Sequence, residues 1–97
     1  MLILKDKANG ETIKEVFDFT SRLAVGETIS TATVTAAVYS GTDPTPTLVS
    51  GAATIQGAQV TQLLAGGVAG TTYLLTCFAV TSSGQTLALQ GYKVVTS

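Results

Sequence analysis

From Thr28 onward the chain alternates, with Ala32, Val34, Ala36 and Val38 on one side of an extended backbone and Thr31, Thr33 and Thr35 on the other. A period of two with hydroxyl residues on the polar side predicts a half-buried strand. The same period returns over residues 72–80, where Tyr73, Leu75, Cys77 and Ala79 share a side, and over residues 85–96, which a bulge at Gly91 is expected to interrupt. Residues 1–7 and 12–19 frame Asn9-Gly10, a pair that tolerates positive φ, so a hairpin or tight corner belongs there, with Ile13, Phe17 and Phe19 facing inward. Thr20 is a candidate N-cap for one helical turn that stops by Gly26 and sets Leu23 on the end of the sheets. The run from Ser40 to Pro46 is dense in turn formers and reads as a surface loop. Two short strands at residues 47–49 and 52–56 then lead through a turn or bulge at Gly57 to a strand at residues 58–64. A glycine corner at residues 65–70 and a turn at Ser82-Ser83-Gly84 bound the last two strands.

Roughly seven short strands with turns about every ten residues is the pattern of an immunoglobulin-like or fibronectin-III-like antiparallel β-sandwich. The chain has 97 residues, enough for one such domain spanning residues 1–97. Tyr73 opens the penultimate strand directly after the glycine corner, where its hydroxyl can bond back to the corner's backbone. It is the candidate for a structural tyrosine corner.

Charge changes the picture. Charged residues make up 11% of the chain against 45% hydrophobic ones, and the net charge is −1. That fraction is less than half of what an ordinary soluble domain carries. Lys5, Lys7, Lys14 and Arg22 are interleaved with Asp6, Glu11, Glu15, Asp18 and Glu27, so no basic stripe exists to displace counterions from nucleic acid, and nucleic acid is excluded as a partner. Between Asp43 and Lys93 there is no charged residue at all. Isolated sandwiches place Lys or Glu on exposed strands to block edge-to-edge association, and this half of the chain does not.

Candidate chemistry is sparse. With no histidine, Ser–His, Cys–His and metal–His sites are ruled out. Cys77 is the only cysteine, flanked by Leu75, Thr76, Phe78 and Ala79, and is expected to be a core thiol. Glu15 and Asp18 point to opposite sides of a strand and read as solvated charges, and Asp43 stands too far from other acids to build a calcium site. Gly66, Gly67 and Gly70 precede a strand, where a phosphate loop would precede a helix. No catalytic residue, metal or cofactor is therefore expected. Met1-Leu2-Ile3-Leu4 is too short for a signal-peptide core, and no apolar run approaches the ~20 residues of a spanning helix, so membrane insertion is not expected and synthesis in the cytoplasm is. One further feature concerns the strand at residues 72–80, whose second side carries Leu74, Thr76, Phe78 and Val80. Either an N-terminal or loop segment covers Leu74 and Phe78, or they belong to a protein interface.

Two stretches carry a family resemblance. The first is Phe17-Asp18-Phe19-Thr20 followed by Leu23-Ala24-Val25-Gly26-Glu27-Thr28-Ile29-Ser30 and Thr33-Val34-Thr35. The second is Leu64-Ala65-Gly66-Gly67-Val68-Ala69-Gly70-Thr71-Thr72-Tyr73, then Thr76 and the Ser82-Ser83-Gly84 turn. Together they resemble the phage Ig-like fibre–tail adaptor proteins over roughly residues 5–95, with Leu63 at a position where that family carries an aromatic residue. The resemblance implies a structural component of the virion tail or neck, present in several copies in a symmetric assembly, joining tail, neck or baseplate to fibres through protein contacts. Leu63, Leu74 and Phe78 are the candidate interface residues. A capsid decoration protein is the alternative within the structural class. A carbohydrate-binding module is a third reading, for which Tyr39, Tyr73 and Tyr92 are a thin aromatic supply.

Overall fold

A computed structural model describes residues 2–3, 7–8, 10–43 and 48–96. The strands are β1 (Leu2–Ile3), β2 (Lys7–Ala8), β3 (Ile13–Asp18), β4 (Ile29–Ser40), β5 (Val49–Gln56), β6 (Gln59–Leu64), β7 (Thr72–Thr81) and β8 (Thr86–Thr96). They form two sheets. One runs β3-β6-β5; the other runs β1-β8-β7-β4, with β2 also paired to β8. Successive strands pass between the sheets: β3 lies in the first, β4 in the second, β5 and β6 in the first, β7 and β8 in the second. This is the connectivity of an immunoglobulin-like β-sandwich.

Side-chain parity explains why these strands close on one core. Phe17, Val60 and Leu64 from one sheet meet Tyr73, Leu75 and Cys77 from the other, and each is fully buried. Every large apolar side chain removed from water in this way contributes about 1.5–3 kcal/mol. Phe19 and Leu48, which lie just outside strands, are buried with them. Leu23 packs against the same cluster from the connection between β3 and β4.

Several local expectations change. No hairpin forms around residues 9–10, because β1 and β2 run parallel to β8 and the chain crosses to the other sheet before β3. Gly10 supplies the positive φ of that corner, while Asn9 lies outside the described residues. The turn between β3 and β4 is a 3-10 helix, Thr20–Arg22. Its side-chain acceptor is Asp18 rather than Thr20: the Asp18 carboxylate takes both the backbone N–H and the hydroxyl of Thr20. The interruption expected between residues 49 and 52 is absent: Val49–Gln56 is one strand, β5, because Gly51 at φ +71° absorbs a register irregularity and lets the chain continue along β6, while Thr47 and the expected loop's residues 44–46 lie outside the described residues. Gly91 carries no bulge. It stays in register opposite Leu75 and is flanked on its other side by Leu2 of β1.

Candidate interface

Phe78 and Leu74 stand on the outer face of the β8-β7-β4 sheet, since their neighbours Cys77, Ala79, Tyr73 and Leu75 take the inner one. The strand register lays out that face row by row. Thr31, Val80 and Thr86 form one row, Thr33, Phe78 and Ala88 the next, then Thr35, Thr76 and Gln90, then Ala37, Leu74 and Tyr92. No residue in these four rows is charged. Phe78 is 43% exposed and Val80 38%, so the apolar centre of the face meets solvent in the isolated chain. Tyr39 extends it at the top of β4, 63% exposed, its ring tilted against that of Tyr92 with centroids 4.5 Å apart. Hydrogen bonding to Tyr39 pushes the Tyr92 phenol above its ordinary range.

Leu63 lies elsewhere. It is 38% exposed on the outer face of β6, in a row with Lys14 of β3 and Ser50 of β5. That face also carries Asp18, so it is a mixed polar surface on the opposite side of the sandwich. The structure thus brings Leu74 and Phe78 together and sets Leu63 apart from them.

Tyr73 is fully buried at the glycine corner. Its hydroxyl accepts from the Val68 N–H at 2.9 Å and donates to Asp43 Oδ2 at 2.6 Å. Burial first, and the neighbouring Asp43 next, raise its pKa above the usual phenol value. The same corner is held from two other directions: the Gly70 N–H donates to the Val95 carbonyl at 2.8 Å, and the buried Lys7 ammonium donates to the Gly66 carbonyl at 2.7 Å. Cys77 is a free, buried thiol whose pKa burial pushes up to about 11. A thiol so placed stays protonated and unreactive at neutral pH.

Not all the charges are solvated. Glu15 faces inward and forms an ion pair with Lys93 at 2.7 Å, with side-chain exposures of 15% and 1%. The pair bridges β3 of one sheet and β8 of the other. Its signal in the sequence was parity alone: Leu87 and Leu89 pack against the core, and two-residue steps from Leu89 reach Lys93. Asp18 and Glu27 behave as surface carboxylates held ionised, the first by Thr20 and the second by the Ser83 hydroxyl, and both have lowered pKa values. Among the described residues no group of acids and thiols is placed to hold a metal ion.

An uncharged, partly apolar sheet face of this kind has the composition that protein–protein interfaces use. Residues 7–90 match the family described as podophage GP4 fiber-tail adaptor protein gp77. The chain belongs to that family. Membership in the gp77 family makes it a structural protein of the phage tail, and the match runs from the buried Lys7 of β2 to Gln90 of β8, across both sheets. No curated protein matches the chain.

Proposed function

We propose that this chain works as a single immunoglobulin-like domain that joins the tail to fibres by protein contact alone, without catalysis, and that the outer face of β4, β7 and β8 is the surface through which it does so. The uncharged rows centred on Phe78 carry this reading. Burying such a face strands no charge, whereas the opposite sheet would bury Lys14 and Asp18. Exposed Phe, Tyr and Val side chains supply the apolar core of an interface, and the surrounding threonines supply a polar rim. Leu74, half-buried beside Tyr92, belongs to that surface; Leu63 belongs to a second contact on the other side of the sandwich. Tyr73 acts as a corner pin that keeps the end loops in place. The partners are other virion proteins of the tail and fibre, and the protein resides in the virion tail after synthesis in the host.

Phe78→Glu tests the surface. Because Phe78 is on the solvent side, the variant should keep the circular dichroism and melting temperature of the parent within a few degrees and yet fail to enter particles. Normal incorporation of the folded variant would remove this face from the interface.

A further inference from the structure

The sandwich has two flanks, and they differ in how their strand edges are finished. On one flank the outermost strands are β1 and β2, both paired to β8, and β3. β8 is overlaid by β1 and β2, the Arg22 guanidinium donates to the Ala88 carbonyl at 3.4 Å, and β3 carries Lys14, Glu15 and Asp18. These are the usual devices that stop a strand from pairing with a neighbour. On the other flank the edges are β4 and β5, and neither contains a charged residue or a proline. β5 is broken by its irregularity at Gly51, whereas β4 keeps unbroken register with β7 over residues 31–38, its own irregularities lying only at the two ends. Among the described residues nothing pairs with the outer edge of β4.

We propose that this edge pairs with β4 of a second copy, antiparallel about a twofold axis, so that the two five-stranded sheets become one continuous sheet. The adaptor reading neither requires nor supplies this contact. What selects a second copy is the self-complementarity of the strand. Antiparallel pairing must set inward side chains against inward ones, which allows registers centred on Val34 or on Thr35. Centred on Val34, Ala32 meets Ala36 and Thr33 meets Thr35 of the second copy. Centred on Thr35, Ala32 meets Val38 and Thr33 meets Ala37. Both place apolar residues together on the core side and uncharged residues together outside, where Thr–Thr pairs are favourable. No like charges face each other across the axis, the usual penalty when a strand meets itself, because β4 has none. Ala32, Ala36 and Val38 are only partly buried in the single chain, and the second copy's β4 would cover them from the flank. The contact is isologous, so it closes at the dimer and does not propagate.

Sedimentation velocity on the purified full chain over a concentration series tests the proposal. The wild type is expected to form a dimer, Phe78→Glu to remain one, and the double variant Thr33→Lys, Thr35→Lys to be monomeric throughout with unchanged circular dichroism. Both threonines are exposed, so the lysines leave the fold intact while repelling their counterparts in either register. Hydrogen exchange of the wild type gives an independent reading: amides of residues 31–38 that face the open edge should become protected as concentration rises. A wild type that stays monomeric would overturn the proposal. So would a dimer that survives the two lysines, one that Phe78→Glu dissolves, or an edge whose exchange ignores concentration.

Discussion

Tyr73 shows how much one side chain does at the glycine corner. Its ring fills the core and its hydroxyl ties Val68 to Asp43, so Tyr73→Phe keeps the packing and removes only the hydrogen bonds. The expected loss is on the order of 1 kcal/mol, read from the midpoint of urea unfolding; an unchanged midpoint would deny the corner a role in stability. Cys77 sets a pH limit. Burial raises its pKa from 9.0 to about 11, so the native state keeps a proton that the unfolded chain releases. The stability linked to that proton is complete below pH 9 and is lost as the pH climbs toward 11. Melting temperature should therefore fall over this range, and Cys77→Ala should flatten the fall; an equally steep decline in the variant would assign it to other groups. The buried thiol and the inward ring were legible because alternation fixes which side of a strand a residue takes. The hydrogen-bond partners were not. Asp43 is 30 residues from Tyr73 and Gly66 is 59 from Lys7, and a local pattern holds no information on pairs so far apart.

At the level of elements, the strands with clean alternation, β4 and β7, could be placed from the sequence, and β5 could not. Its Ser50-Gly51-Ala52 run looks like an interruption, and only pairing with β6 shows that the glycine carries the strand through an irregularity. The parallel pairing of β1 and β2 with β8 was equally hidden, since it joins the two ends of the chain. Those ends are also clamped by Glu15 and Lys93, which connect β3 to β8 through the core. Removing one partner leaves a buried charge, so Glu15→Ala should cost about 3 kcal/mol in urea unfolding. Adding Lys93→Met should recover most of it, because an apolar side chain of similar length needs no carboxylate. A double variant no more stable than Glu15→Ala would mean that the loss comes from packing around Glu15.

For the whole molecule, the distribution of charge distinguishes the outer face of β4, β7 and β8 from that of β3, β6 and β5. The charge-free stretch between Asp43 and Lys93 was visible in the sequence, but its meaning depends on the fold, which gathers Thr76, Phe78, Val80, Ala88 and Gln90 with the β4 threonines onto one face. The sequence grouped Leu63 with Leu74 and Phe78; the two-sheet topology puts it on the far side, so a connector built on this domain has two separate surfaces to offer. That arrangement suits a member of a fibre–tail adaptor family, which must touch two different neighbours. The most direct measurement is a cryo-EM map of intact particles compared with a map of particles lacking this chain. A ring of density at the tail that disappears together with the fibres is the expected result. Difference density spread over the capsid, or fibres retained in its absence, would contradict the adaptor role.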